Sequence, residues 1–428
     1  MLMQSTRARL NQINPFTHAA VFGLIVILLL PVLLFSDRFP EWLPPLAVGL
    51  LLLVFLLRGV ANGRFPGYTP ADFPLYILLL LIPLNLWATP DLPVTLPRTY
   101  ALIANIALFW AIAAQRESRW LPLSGWALLA AGLLFSGVIL LGTNFSGVKF
   151  PFIGQAIFNA IPTLWRPFWN PGGMNPNLSG GLLALFWPPA FIFLVKGPGW
   201  KLRLGGGVAT VVLTLMLLLA QSRGAMLGIL AAVVILTLLF NWRWLFLWLV
   251  LAAAALFAAP RFLPGFTFAD ILGGSDVGGA ATLTGRLEIW SRTLYMIQDF
   301  PFTGVGQGMV EPVIHILYPL FLISPDAAFG HAHNIYLHMA AEMGLPALIA
   351  MLAFYLLLLF LPLKRLRRQP TGLAASLSLG LLGMMVVFLT HGMVEVITYA
   401  PRGAIIVWGL FGLLTAVTTN RSLAAGPD

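Results

Sequence analysis

Residues 18–35 have the sequence HAAVFGLIVILLLPVLLF, which contains no Asp, Glu, Lys or Arg. A helix needs about 20 predominantly apolar residues to cross the hydrocarbon core of a bilayer. The stretch therefore predicts a transmembrane helix. It is long for the apolar region of a signal peptide, and SDRFPEW follows it instead of a small-residue cleavage site. We therefore expect it to remain in the mature protein.

The rest of the chain has the same character. Hydrophobic residues make up 59% of it and charged residues only 9%, with a mean hydropathy of +0.92. Soluble proteins carry about 25% charged residues. We predict an all-α integral membrane protein with about twelve transmembrane helices. The predicted helices lie near residues 18–36, 42–58, 73–88, 99–115, 120–142, 179–195, 205–222, 224–240, 244–259, 334–362, 372–394 and 403–419.

Two connections are too long to be simple turns, and loops of this length tend to be functional. We expect residues 1–259 to form the first nine helices, with a loop at about 143–178. Residues 260–333 form a larger loop, and residues 334–428 hold the last three helices and a short tail. Within the larger loop, TLTGRLEIWSRTLYMIQDF predicts a helix that begins at Thr284 and ends at Pro301.

The charges predict the orientation. Most of the 24 Lys and Arg residues fall in one set of alternate connections, and most of the 14 acidic residues fall in the other. Because positive charge is retained inside the cell, both termini should be cytoplasmic. The net charge of +10 then reflects this asymmetry and attraction to anionic membrane lipids, and we expect no nucleic-acid binding. The chain has no Cys, HExxH motif or Walker loop, so we expect no metal, cofactor or nucleotide.

Three histidines lie in HAHNIYLHMAAEMG, residues 331–344, at the threshold of a predicted transmembrane helix. Ionisable groups at such positions usually mark a functional site. His333 and Gly344 are eleven residues apart, a helical spacing that predicts the two residues to within about 20° of one face. Imidazole can take a proton near neutral pH, so His333 is the candidate base. We expect His338 to point away from it and His331 to give support.

Cations lie at the same predicted side of the membrane. Arg223, in AQSRGAMLG, could be an interfacial side chain that reaches water or a clamp for a phosphate-bearing ligand. Arg286 opens the loop helix, where it could bind the same ligand or form a surface salt bridge with Glu288 or Asp299.

Weaker candidates surround these residues. His391 and Glu395 are four residues apart near the end of a predicted helix, and a mutual hydrogen bond is the simplest interpretation. The others are two cations that could contact phosphate or sugar, and two amides that could equally form a plain turn: Arg166, Arg402, Asn175 and Asn177.

Together these elements resemble the O-antigen ligase and polymerase superfamily of bacterial envelope glycosyltransferases, over about residues 160–420. The first 140 residues support the resemblance only by their predicted topology. Each short motif is weak alone, but their order is specific. The motifs are SRGAMLG around Arg223, TGRLEIW around Arg286, PFTGVGQG at 301–308 and AHNIYLHMAAEMGLPAL around His333.

The resemblance implies a metal-independent, inverting, GT-C-type glycosyltransferase of the bacterial inner membrane with a periplasmic site. Its donor would be an undecaprenyl-pyrophosphate-linked glycan and its acceptor the lipid A-core oligosaccharide. His333 would be the base, and Arg223 and Arg286 would bind the pyrophosphate. The residues expected to bind substrate are Arg166, Asn175, Asn177, His331, His338 and Arg402.

Alternatives remain open within and outside this class. An O-antigen polymerase or a protein O-oligosaccharyltransferase would share these motifs. A lipid-linked glycan flippase or other transporter would also need cations, but spread across the midplane. A scaffolding membrane protein would not explain why Arg and His converge on one side. The predicted one-sided placement favours the enzyme.

Overall fold

A computed structural model describes residues 15–62, 69–117, 120–143, 145, 174–262 and 282–420. Within these residues the regular elements are helices, and the only strand-like feature is an isolated bridge between Thr143 and Met174. We number the α-helices in chain order. They are α1 Pro15–Leu34, α2 Leu43–Asn62, α3 Asp72–Ala88, α4 Leu92–Ala113, α5 Ser124–Gly142, α6 Pro176–Lys196, α7 Trp200–Ala220, α8 Arg223–Asn241, α9 Arg243–Phe262, α10 Leu283–Asp299, α11 Val310–Leu317, α12 Ile335–Arg368, α13 Gly372–His391 and α14 Pro401–Thr419.

Most of these helices are apolar. Among the described residues, seven helical segments are long and apolar enough to cross a membrane. The chain is therefore a multi-pass membrane protein, as the composition predicts. Five further helices contain shorter apolar stretches, so the full set of twelve spans stays a prediction. The shorter stretches are Ala19–Leu34, Asp72–Ala88, Arg223–Leu239, Leu245–Ala254 and Gly403–Thr419.

Helix α13 lies at the centre of the bundle. It packs against α6, α8, α12 and α14, and 83% of an apolar 18-residue stretch of this helix is buried. A helix that is apolar on every side is stable when other helices surround it. Phe388 of α13 contacts Phe411 of α14 edge to face, with ring centroids 5.1 Å apart, and Phe354 of α12 packs on the same Phe411 ring. The end of α13 therefore has a fixed position.

Helix α12 has a sharp kink. Gly344 has φ +83° and ψ 168°, which interrupts the helical backbone. Pro346 has no N–H, so it cannot donate to the carbonyl of Glu342. That carbonyl instead accepts from the Gly306 N–H at 3.0 Å and from Asn85 Nδ2 at 2.6 Å. The open backbone of α12 is thus bound by two other parts of the chain.

The glycine-rich stretch PFTGVGQG docks into this kink. The Val305 N–H donates to the Ala341 carbonyl at 2.9 Å, and the Leu345 N–H donates to the Pro301 carbonyl at 2.7 Å. A Cβ at Gly304 would collide with the backbone of Glu342, so a larger residue cannot approach this closely. The stretch therefore ties the segment before α11 to the beginning of α12.

The predicted start of α10 was one residue late, whereas the predicted start of α12 near residue 334 agrees with the structure. Thr282, whose hydroxyl accepts from the Gly285 N–H, caps α10, so this helix begins before Thr284. Asn334 caps α12, so His333 precedes the helix and has φ +49°. The argument that His333 and Gly344 share a helix face is therefore wrong. A Cβ at Gly344 would collide with the carbonyl of Phe302, so this glycine permits the kink.

Candidate functional site

The predicted site residues gather at one end of the bundle, where α8 begins, α13 ends and α12 begins. The Asn334 side chain accepts from two N–H groups of α12 and donates through Nδ2 to the Met393 carbonyl at 3.0 Å. Trp290 of α10 donates to the Ala332 carbonyl at 2.8 Å. These bonds fix the histidine segment between α10 and the α13–α14 connection.

Glu395, in that connection, joins three of the site residues. Its Oε1 lies 3.2 Å from His333 Nδ1 and 3.2 Å from His331 Nε2, and its Oε2 lies 3.8 Å from Arg286 Nη2. Burial alone would raise the pKa of Glu395. The hydrogen bond from His333 and the electrostatic effect of the neighbouring His333, His331 and Arg286 outweigh burial and bring this pKa down to about 2. Glu395 is therefore a buried carboxylate anion.

The hydrogen bonds assign the histidine tautomers. His331 Nδ1 accepts from the His333 N–H at 3.1 Å, so its Nε2–H points to Glu395. Burial, more than the neighbouring cations, lowers the pKa of His331 to about 4 against the opposing effect of Glu395, so His331 is neutral. His333 donates from Nδ1 to Glu395. Its Nε2 has no hydrogen-bond partner among the described residues.

His333 therefore has the features of a general base. Its ring is oriented by a carboxylate, and its free nitrogen belongs to a residue that lines a cavity. Its left-handed backbone costs roughly 1–2 kcal/mol for a residue with a Cβ. Strain of this kind is often found at functional sites, where the surrounding contacts hold it in place.

Two guanidinium groups lie beside this dyad. Arg223 is the first residue of α8, directly after Ser222, whose hydroxyl accepts from the Ala225 N–H at 3.4 Å. No carboxylate of the described residues forms an ion pair with Arg223. Burial lowers the pKa of Arg286, Glu395 raises it, and the nearby charge of Arg223 lowers it again. Arg286 thus has a carboxylate partner and the neighbouring Arg223 has none among the described residues, which leaves positive charge for an anionic ligand.

The surface salt bridges considered for Arg286 are not formed. Glu288 instead pairs with Arg292 at 3.7 Å and accepts from the backbone N–H groups of residues 321–323. Asp299 accepts from the Tyr318 hydroxyl at 2.5 Å. Arg286 is therefore directed to the site by Glu395.

A cavity of about 440 Å³ opens beside the dyad. It lies between the α6 start, the loop before α12 and the α13–α14 connection. Its lining combines carboxylates, imidazoles, an amide and aromatic rings. The polar and aromatic residues lining it are Asn175, Glu311, Phe329, His331, His333, Glu395 and Tyr399.

The other predicted residues have mixed outcomes. Asn175 caps α6, accepting from the Asn177 N–H at 2.8 Å, and it also lines the cavity. His338 is buried with Nε2 3.3 Å from Glu342 Oε1, and it does not line the cavity. Arg166 lies outside the described residues, and Arg402 lies in α14 with its side chain outside them.

The interpretation of His391 was wrong. Its ring is buried between glycines of α6 and α8, and it forms no hydrogen bond with Glu395. Glu395 instead bonds to His331 and His333. Sequence reasoning also missed Tyr399, and Arg98, which reaches the site from α4. Glu395, like the histidines, is an ionisable group at a predicted membrane boundary. Its position alone therefore marked it as a candidate site residue.

A cation could in principle bind here. The ligating atoms of His331, His333 and Glu395 lie within 4.8 Å of one another. Among the described residues, these three form the group of His, Asp or Glu side chains close enough to share one ion. Arg286 already lies 3.8 Å from the same carboxylate, so a metal ion would meet positive charge. That the protein needs no metal stays a prediction.

Comparison with known families gives one match. Residues 208–352, about a third of the chain, match a family model described as O-Antigen ligase. This match supports the O-antigen ligase/polymerase superfamily. No curated protein matches the chain. The O-antigen ligase domain contains Arg223, Arg286 and His333, whereas Arg98, Glu395 and Tyr399 lie outside its bounds.

Proposed function

We propose that the protein is an O-antigen ligase with a twelve-span, GT-C-type fold in the bacterial inner membrane. It transfers an undecaprenyl-pyrophosphate-linked glycan to the lipid A-core oligosaccharide on the periplasmic face, and both termini are cytoplasmic. The observation that carries the proposal is the His333–Glu395 pair, with Arg286 3.8 Å from the same carboxylate and Arg223 close enough to Arg286 to lower its pKa.

The proposed reaction needs one proton acceptor and one anion site. His333 Nε2 takes the proton of an acceptor hydroxyl as its oxygen bonds to the anomeric carbon of the donor sugar. The bond from that carbon to the pyrophosphate oxygen breaks, and inversion follows from attack opposite the leaving group. Glu395 stabilises the imidazolium that forms. Arg223 and Arg286 neutralise the departing pyrophosphate without a divalent metal.

The alternatives differ in acceptor or in the placement of charge. A polymerase would use a second undecaprenyl-linked glycan, and a protein O-oligosaccharyltransferase would use a polypeptide hydroxyl. A flippase would need cations along the path through the membrane. Arg223 and Arg286 meet at one end of the bundle, which supports the enzyme.

The test is a transfer assay with purified protein in proteoliposomes, a defined donor and each of the three acceptors. We expect transfer to lipid A-core, and we expect His333→Ala to lower it at least about 100-fold. The control is His315→Ala, because His315 packs on Phe329 without lining the cavity. Unchanged transfer by folded His333→Ala protein would refute the base, and transfer to another acceptor alone would refute the ligase.

The same assay tests the anion site. Arg223→Ala and Arg286→Ala should lose transfer, and Lys at either position should restore only part of it because Lys lacks the bidentate fork of Arg. Wild-type rates in both Ala variants would contradict the clamp. Activity should persist in EDTA; its loss and rescue by Mg²⁺ would contradict the metal-free mechanism.

A further inference from the structure

The hydroxyl group of Tyr399 has an unused proton. Its oxygen accepts a hydrogen bond from Arg98 Nη2 at 2.6 Å. A guanidinium can only donate, so the Tyr399 O–H must find its own acceptor. The described residues provide none. Tyr399 lines the cavity, and a Cβ at Gly330, which also lines it, would lie 3.7 Å from its hydroxyl oxygen.

Arg98 fixes this hydroxyl from behind. Its guanidinium carbon lies 4.1 Å from the centre of the Tyr399 ring, so it stacks on the ring as well as bonding to its oxygen. A Cβ at Gly308 would collide with Arg98, so the glycine-rich stretch makes room for this side chain. Arg98 does not line the cavity. It can therefore influence a ligand there through Tyr399.

Two imidazoles fix the ring edge to face. The His331 ring centroid lies 5.0 Å from that of Tyr399, and the His338 centroid lies 5.6 Å away. The aromatic ring and its hydroxyl are thus held in one orientation beside the proposed base. A held aromatic ring with an unused donor is suited to a polar ligand with an apolar face.

The charges of the cavity separate it from the anion site. Among the side chains that the structure describes, no Lys or Arg lines it, whereas the carboxylates of Glu311 and Glu395 do. Glu311 also holds the facing loop, accepting from the Gly330 N–H at 2.6 Å. These carboxylates would repel a phosphate and can accept hydrogen bonds from hydroxyl groups. The lining is therefore suited to an uncharged sugar.

We propose that this cavity is the acceptor-sugar subsite, in which Tyr399 donates a hydrogen bond to a hydroxyl of the terminal acceptor sugar. Arg98 is a positioning residue that acts through Tyr399. The inference rests on the proposed function, because it assigns the region around Arg223 and Arg286 to the donor pyrophosphate. It places the acceptor between Tyr399 and His333.

The test measures the KM of each substrate separately in the proteoliposome assay. Tyr399→Phe should raise the acceptor KM about 3- to 10-fold, the effect of one hydrogen bond, and leave the donor KM unchanged. The matched control is Tyr336→Phe, which removes the same atom from a hydroxyl that donates to the Leu389 carbonyl in the helix bundle. That variant should change neither KM.

A double-mutant cycle tests Arg98. Arg98→Met should raise the acceptor KM, Arg98→Lys should restore part of the loss, and Arg98→Met should add nothing in a Tyr399→Phe background. Arg292→Met, which removes a guanidinium that stacks on Phe321 outside the cavity, is the control. Full additivity would overturn the role of Arg98 through Tyr399.

Two failures are distinguishable. If Tyr399→Phe raises the donor KM, or leaves the acceptor KM unchanged while wild type transfers the glycan, the acceptor subsite is wrong and the proposed function stands. If wild type transfers glycan to no acceptor, the proposed function falls and the subsite falls with it.

Discussion

At the level of single residues, Glu395 is the anion that orients the two histidines of the site. One carboxylate accepts from His331 and His333 and lies near Arg286. Because it is ionised, it accepts the Nδ1 proton of His333 and directs Nε2 away from itself. Replacing it with an amide would allow His333 to turn, so in the proposed mechanism Glu395 orients the base in the way a third group orients the histidine of a triad.

His331 should make the stability of the protein depend on pH. Its pKa is about 4 in the fold, mainly because it is buried, against about 6.5 in an unfolded chain. Its contribution is fully present above pH 6.5 and is lost as pH falls toward 4, by up to about 2 kcal/mol at pH 5. Thermal unfolding in detergent should show a Tm that falls from pH 7 to pH 5.

The variant His331→Gln isolates this effect. It can keep both hydrogen bonds but cannot titrate, so its Tm should change less over that interval. Equal slopes for wild type and variant would contradict the assignment. Glu395, whose folded pKa is about 2, adds a further loss only below its unfolded value of about 4.5.

The sequence identified candidate site residues more readily than their partners. Arg223, Arg286 and His333 were selected from short motifs; the structure places Arg286 and His333 at Glu395 and Arg223 near Arg286, and their roles stay predictions. Tyr399 and Arg98 were missed because their contact joins positions 301 residues apart. Nothing in the local sequence of Arg98 indicates a distant tyrosine.

At the level of elements, the kink in α12 connects the membrane helices to the site. Gly344 and Pro346 interrupt the helical hydrogen bonds of α12. Residues 301–306 and Asn85 form hydrogen bonds with the backbone groups that this leaves free. The hydropathy of α12 predicted one long helix, and its length is confirmed. Hydropathy carries no information on the kink, because Gly and Pro are tolerated in membrane helices when neighbouring groups satisfy the freed backbone.

Gly344→Ala should therefore destabilise the protein strongly. The residue has φ +83°, and its new Cβ would collide with the Phe302 carbonyl, so we expect a loss of about 2 kcal/mol or more. Gly137→Ala in α5 is the control, since a Cβ there meets nothing within 4 Å. It should be neutral or stabilising, because Ala favours helix over Gly.

Unfolding by heat in the same detergent compares the two variants. Equal Tm values would show that the backbone at Gly344 adopts ordinary helical angles. A reduced Tm with intact transfer by the surviving folded fraction would separate the structural role of the kink from the chemistry.

At the level of the whole molecule, the predicted orientation can be tested directly because the chain has no Cys. Single cysteines at Lys201 and Asp326, both exposed, should react with a membrane-impermeant maleimide from opposite sides. Asp326→Cys should be labelled in intact spheroplasts, and Lys201→Cys only after permeabilisation. The reverse pattern would invert the topology and move the site to the cytoplasm.

The partners of the site cations follow them in the chain. A ribosome releases Arg98 and Arg286 well before Glu395 and Tyr399, so a nascent chain that stops short of residue 395 holds guanidinium groups without these partners. Such a truncated product would contain the matched residues 208–352 yet lack the carboxylate that accepts from His333. Synthesis through Tyr399 is therefore a condition for assembling the cluster around Glu395.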